Sequence, residues 1–326
     1  MNRTVLISRR SFLAALGLGT ASALLAGCAG PGASSASSGS SSSASSQAET
    51  PAVEPFLTPE EFPGVDGSTA CIPLIAQIIA DTTGTDLTEA QSAVTVSTTA
   101  YAWENMGVYD SELIQLLIVY EAPDYVKEEI AQAGTQLDQK PIGRDALVFI
   151  VNQDNPVQSL TLDQLREVYA GRITNWKEVG GSDVPIVAFQ RGEDSGSQTL
   201  FRNLLIGDGD LMAAPTELAP ASMGGLVDSI ASYNNSANAI GFSVYYYIDQ
   251  MYSQPGLRLL AVEGVTPSSD TIASQAYPLC NDFYAVVRSS AAANSPERQV
   301  YDWLSTDQGI QCIKTAGYVP YFSVEK

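Results

Sequence analysis

VPIVAFQRGEDSGSQTLFRNLLIG (residues 184–207) reads as a strand, a turn and a helix in one run. Residues 184–189 are apolar and rich in β-branched side chains, the composition of a buried strand. Beyond the turn, Leu200, Phe201, Leu204 and Leu205 recur at helical spacing, and Gly207 marks the stop. Ser195 followed three residues later by Gln198 fits a capping box at the helix start. Between strand and helix lies Asp194-Ser195-Gly196, which raises the question of a nucleophilic serine. The chain contains no histidine, so a Ser-His-Asp triad has no base. Lysines stand at 127, 140, 177, 314 and 326, none within a few residues of Ser195, so a Ser-Lys pair finds no local support. Ser195 is therefore expected to hold a ligand rather than attack one.

The same strand-to-helix pattern recurs earlier. Asp66-Gly67-Ser68-Thr69-Ala70 opens a segment in which Ile72, Ile75, Ala76 and Ile79 follow helical spacing. Residues 93–97 read as β-like and run into Thr98-Thr99-Ala100-Tyr101 and a short helix. A further helix over 162–170, capped by Thr161 with Gln164 and stopped by Gly171, has no hydroxyl cluster and reads as structural. Strands alternating with helices imply an α/β protein, each of two lobes a mostly parallel sheet flanked by helices. Two long β-like runs, 146–152 and 283–288, are expected to cross between the lobes and form a hinge. Lobe 1 would then comprise 55–145 and 276–326, lobe 2 would comprise 146–275, and the cleft between them is the natural ligand site. Arg144-Asp145 at the first crossing either lines that cleft or forms a hinge salt bridge. The tyrosines at 245–247 read as strand residues packing the second lobe, and Asp208 and Asp210 as a polar turn.

A helix N-terminus offers unpaired N–H groups and the positive end of the macrodipole, so it binds an anion without a full positive charge. Hydroxyls at Ser68, Thr69, Thr98, Thr99, Ser195 and Ser197 add donors that need no counter-ion. Gly67 and Gly196 would let the backbone approach the ligand's oxygens closely. Arg191 has a planar fork suited to an oxyanion, and Glu193 could orient it from behind. The chain carries 16 cations against 36 acids, a formal net charge of −20. Nucleic acid and anionic lipid surfaces are poor partners for it, and an anionic ligand must be held by short-range donors. No cofactor or metal site is expected.

Residues 1–27 read as an export signal: Arg3, Arg9 and Arg10 precede an apolar run too short for a membrane span. Leu25-Ala26-Gly27-Cys28 resembles the bacterial lipobox, which would make Cys28 a lipidated N-terminus. The stretch from Ser8 to Leu13 resembles the twin-arginine export motif, with Ala14 in place of its usual lysine. Residues 28–54, rich in Ser and Ala, read as a tether. Removing the signal takes away three arginines and no acids, leaving a mature charge of −23. Cys71, Cys280 and Cys312 remain, an odd number. A Cys280 to Cys312 bridge is geometrically plausible if a C-terminal helix returns antiparallel to the strand after Cys280, and three unpaired thiols are the alternative.

Taken together, DGSTACIPL (66–74), PIGRDALVFIVN (141–152), LTLDQLREVYAGRITNWKEVGG (160–181), FQRGEDSGSQTLF (189–201), AIGFSVYYY (239–247) and GYVPY (317–321) resemble the phosphate-binding protein family of bacterial ABC importers. The likeness runs from about 64 to 322, and Arg191 followed four residues later by Ser-Gly-Ser is its most specific element. It implies a two-lobed, type II periplasmic-binding-protein fold that captures inorganic phosphate for ABC-transporter permease subunits. The protein would be a monomer that touches the membrane only through its lipid. By that likeness Thr69 and the Ala70 backbone, with Thr98 or Thr99, would bind from the first lobe, and Arg191, Ser195, Gly196 and Ser197 from the second. The family's proton-accepting aspartate falls on Glu121, one methylene longer, which would reject fully ionised sulfate by repulsion. Glu121 as a solvated surface residue stays open, as do another tetrahedral oxyanion, an envelope sensor or adhesion module of the same fold, and a phosphate-ester hydrolase.

Overall fold

Val65–Gly67 (β1) is the first strand in a computed structural model that describes residues 54–214, 218–232 and 238–322. The expected export segment, Cys28 and nearly all of the tether lie outside the described residues. After β1 come α1 (Ile72–Thr83), α2 (Leu87–Ala93), α3 (Thr99–Gly107), β2 (Leu116–Val119) and α4 (Asp124–Ala133). A long strand, β3 (Leu137–Asn152), leads to β4 (Ser159–Leu160), α5 (Leu162–Tyr169), β5 (Val187–Ala188) and α6 (Gly196–Phe201). Then follow α7 (Met223–Ser232), β6 (Ala239–Val244), β7 (Leu257–Val262) and α8 (Ser269–Ala273). The chain returns through β8 (Cys280–Arg288), α9 (Pro296–Trp303), α10 (Asp307–Thr315) and β9 (Val319–Pro320).

β3 belongs to two sheets. From Leu137 to Ala146 it pairs with β8, and from Leu147 onward with β6 and β7. Its second part, Ala146 through Val151, is fully buried, as expected of a strand covered on both faces. Residues 283–288 form a strand as expected, but within β8 they pair with β2 and the first part of β3 and do not cross; the return path runs through residues 274–279, which are not a strand. Leu147 N–H donates to Leu279 C=O at 2.9 Å and holds that return path against the switch point.

The sheets are mixed rather than mostly parallel. Among the described residues β1–β2, β4–β7 and β5–β6 are parallel, whereas β2–β8 and every pairing of β3 are antiparallel. The shared strand sets its direction in both sheets, and each neighbour it acquires runs against it. Residues 93–97 form no strand. Asp66 captures Ser97 instead, accepting from its backbone N–H at 2.7 Å and from its hydroxyl, while β1 takes β2 as its neighbour. The tyrosines at 245–247 lie beyond the end of β6, in helical turns.

Side-chain alternation explains how the first sheet is covered. Leu116 and Ile118 pack with Leu74, Ile75 and Ile78 of α1, while Leu117 and Val119 pack with Trp103, Met106 and Val126 of α3 and α4. In the second half Phe201 of α6 stacks on Phe242 of β6 with centroids 4.2 Å apart, and its edge meets Tyr169 of α5. That aromatic cluster fixes α6 on its sheet.

The expected Cys280 to Cys312 bridge is not formed: Cys71, Cys280 and Cys312 are all free. The two sulfurs face different neighbours. Cys280 Sγ lies 3.1 Å from Tyr277 C=O, whereas Cys312 of α10 is buried beside Asp81 of α1.

At the switch point Arg144 pairs with Asp282 at 3.6 Å and packs over the Tyr321 ring, a salt bridge at the crossing made with β8 rather than with the neighbouring Asp145. Asp145 is buried and accepts from Tyr120 Oη at 2.6 Å, Ala146 N at 2.8 Å and Tyr246 N at 3.1 Å. Burial pushes its carboxyl up to about 6 despite those donors. The folded protein thus holds this proton more tightly than the unfolded chain does. Stability from this group is greatest in acid and falls as pH rises from about 4 to about 6, by about 2–3 kcal/mol. Asp145→Asn should flatten that part of the profile, which urea unfolding of both proteins at pH 4 to 7 would measure; identical slopes would contradict it.

Candidate functional site

The first of the expected junctions begins where β1 ends. Gly67 has no room for a side chain because a Cβ there would lie 2.0 Å from Ile118 C=O of β2. Close strand packing, not ligand approach, therefore accounts for this glycine. Ser68 is buried; its N–H donates to Ile118 C=O at 3.2 Å, and its hydroxyl accepts from Tyr120 N at 3.0 Å. The same hydroxyl shares a 2.8 Å hydrogen bond with Thr99 Oγ1. Thr69, Ala70 and Cys71 form one 3₁₀ turn that feeds α1. Tyr318 Oη donates to Ala70 C=O at 2.6 Å, and Tyr318 stacks on Tyr246 at 3.5 Å, so the turn is braced from the C-terminal segment.

The second junction is the start of α3. Thr98, its N-cap, has φ of +88°, a left-handed conformation that costs a threonine roughly 1–3 kcal/mol. Asp66 holds this conformation by gripping Ser97 and reaching Asn105 Nδ2 at 3.4 Å on the same helix. Thr98 is exposed and Thr99 buried.

The third junction is the opening turn. Ser195 is the N-cap of α6, but the expected capping box is not formed. Gln198 Oε1 instead accepts from Arg191 N at 3.1 Å, and Ser195 Oγ pairs with Ser197 Oγ at 3.0 Å. Gly196 marks the meeting of two junctions: a Cβ there would stand 2.3 Å from Thr99 Oγ1. Ser68, Thr99 and Gly196 thus converge, with Thr69, Thr98, Ser195 and Ser197 as their immediate neighbours in the chain.

Arg191 is buried at 8% exposure, and among the described residues no carboxylate lies within ion-pair distance of its guanidinium. Its Nε and one terminal nitrogen donate to the carbonyls of Pro220 at 3.0 Å and Ala221 at 3.2 Å. Burial pulls its pKa down to about 10, with Tyr247 opposing. Among the described residues carbonyl dipoles, not a carboxylate, hold this cation, which leaves its charge available to an anion.

Two expected carboxylate roles are corrected. Glu193 does not support Arg191; it pairs with Arg202, nine residues on, at 2.8 Å, where both are exposed. Glu121 is not presented as a free acceptor. Lys127 Nζ donates to one oxygen at 2.7 Å and Asn203 Nδ2 to the other at 3.3 Å, which makes it a rim residue. Asp210 pairs with Arg172, as a polar turn allows.

The sequence reading missed Asp66 as the anchor of the Thr98 loop and Tyr318 as the brace of Ala70. It also missed Tyr101 Oη and Tyr125 Oη, which meet Asp194 at 3.2 and 2.8 Å. An acid beside the Gly-Ser-Thr turn was a visible cue for the first, whereas the others join residues more than 60 positions apart.

Helix-start loops from two mixed sheets, joined by one strand running through both, define an α/β architecture in which those loops meet. The family model described as a PBP superfamily domain matches residues 112–306, and the chain belongs to that family. It is similar to the phosphate-binding protein PstS of Borreliella burgdorferi, 25% identical over 207 residues, covering 62% of this chain and 71% of the relative. The PstS of Bacillus subtilis is 28% identical over 171 residues, 52% of this chain and about half the relative's length, 53%. Among solved structures, an ABC-type phosphate transport receptor from Vibrio cholerae superposes with a TM-score of 0.57 at 23% identity, covering 78% of this chain and 98% of that one. That likeness bears on the fold.

Proposed function

We propose that the protein is an extracytoplasmic solute-binding protein that captures inorganic phosphate and delivers it to an ABC-transporter permease. The observation that carries this reading is the meeting of Thr99 and Gly196 across the two sheets, in the same turn as a buried Arg191 that has no carboxylate partner among the described residues. Hydroxyls, helix-end N–H groups and one guanidinium fork suit a small tetrahedral oxyanion. The names of the relatives, phosphate-binding proteins and a phosphate transport receptor, favour phosphate among such anions. The binding groups are Ser68, Thr69 and the Ala70 backbone with Thr98 and Thr99 from one side, and Arg191, Ser195, Gly196 and Ser197 from the other.

Capture requires no bond to break, and the chain supplies no histidine to make Ser195 a nucleophile. Among the described residues no helix is long and apolar enough to cross a membrane. Lipidation of Cys28 would hold the monomer at the outer face of the cytoplasmic membrane, with the serine-rich segment as its leash.

Titration calorimetry with phosphate, repeated in a hundredfold excess of sulfate, tests the proposal. One phosphate bound per chain is the expected result. No phosphate heat would overturn the reading, and equal competition would widen the ligand to tetrahedral oxyanions in general.

A further inference from the structure

Asp194 lies one residue before the proposed anion loop, yet nothing among the described residues of its own half holds its carboxylate. Glu193 beside it is paired locally with Arg202, and no cation lies within ion-pair distance of Asp194 among the described residues. Its partners come from the first half. Tyr101, in the first turn of α3, brings its hydroxyl to 3.2 Å from Oδ2, and Tyr125, in the first turn of α4, brings its own to 2.8 Å from Oδ1. Two donors on two helices engage two oxygens, so the turn is fixed against both sliding and rotation. Both rings are exposed, Tyr101 at 47% and Tyr125 at 38%, so these bonds lie at the outer edge of the contact, its mouth, rather than in its buried part.

From this geometry we infer that Asp194 is a positioning residue for ligand retention: its carboxylate, clasped by Tyr101 and Tyr125, exists as a bonded group only in the closed form and sets how long the anion stays. The argument rests on the proposed function for its ligand, but the clasp itself is independent of it. Bonds between the halves break on opening, so their strength falls on the closed state and therefore on release, not on encounter. The donor type also matters. A lysine or arginine at the mouth would bind Asp194 as well, but it would offer a second attractive point to an anion that must reach Arg191. A tyrosine hydroxyl closes the gap with no charge to divert the ligand. Glu104, also near the Tyr125 hydroxyl, has its pKa raised by burial and by Glu129 and Asp194, which marks how acidic this mouth is.

The test uses full-length protein carrying Tyr125→Phe, Asp194→Ala, or both. Stopped-flow measurement of phosphate binding and release should give Asp194→Ala roughly tenfold faster release, since hydrogen bonds to a charged group are each worth a severalfold change or more when half-exposed. Association should change less than twofold. Tyr125→Phe should speed release less, and adding it to Asp194→Ala should contribute nothing further. Small-angle scattering of the ligand-free proteins should record a larger radius of gyration for Asp194→Ala. Wild-type release rates and scattering in the variants would overturn the clasp, as would a lowered melting temperature with unchanged release. If wild-type protein bound no phosphate, the functional reading would fail, and the scattering comparison would still decide the clasp.

Discussion

Arg191→Ala is expected to weaken phosphate binding by about two to three orders of magnitude while the ligand-free protein melts at or above the wild-type temperature. Loss of a buried charge's contact with an oppositely charged ligand typically costs about 2–5 kcal/mol. Here the cation has paid in advance, since burial has already drawn its pKa down to about 10 and, among the described residues, the guanidinium donates only to the carbonyls of Pro220 and Ala221. Removing it therefore relieves the empty protein and disables the filled one. Arg191→Lys should recover little, because an ammonium cannot hold both carbonyls and still present a fork. Calorimetry and a melting curve on the same samples check the pair of outcomes. A loss below fivefold would take Arg191 out of the site.

Gly196→Ala is the second large effect, expected to weaken phosphate binding about 10- to 100-fold with the folded state intact. The added methyl would stand 2.3 Å from Thr99 Oγ1 and 3.0 Å from its Cβ, closer than packed atoms tolerate. Overpacking of this kind costs about 1–3 kcal/mol, and Gly196 and Thr99 lie on opposite sides of the closing gap, so the cost falls on the closed form. Calorimetry reads the affinity, and circular dichroism reads the fold. Wild-type affinity would mean that the two junctions do not need this contact.

What the sequence disclosed, and what it did not, divides by the range of the interaction. The helix after Thr161 was legible because its capping box is self-contained: Thr161 Oγ1 accepts from Gln164 N at 3.1 Å and Gln164 Oε1 accepts from Thr161 N at 2.9 Å. The same rule applied at Ser195 located the start of α6 correctly but gave the wrong bonds, because Gln198 is drawn to Arg191 N by a turn that no local pattern describes. The hydroxyl clusters at 68–69, 98–99 and 195–197 were found because each sits at the start of a helical turn, a local property. Their convergence was expected from the two-lobe reading and the family resemblance, not from any local pattern; it depends on β3 entering a second sheet. Charge partners fared worst. Proximity in the chain suggested Glu193 for Arg191 and named no partner for Arg144, whereas the fold supplies Arg202 to Glu193 and Asp282 to Arg144. Residues 93–97 failed for a related reason, since apolar, β-branched residues resemble a strand until a buried carboxylate claims the backbone.

The strand that serves both sheets makes the molecule a poor candidate for dissection. Cutting the gene near codon 146 would sever β3 where Ala146 faces Cys280 and Leu147 faces Val244, leaving two fragments, each with a torn hydrogen-bonding edge. Exchange of material between relatives would therefore succeed only as a single insert spanning both passages of the chain. A protein built on such a shared strand should diversify by altering its loops in place rather than by trading halves.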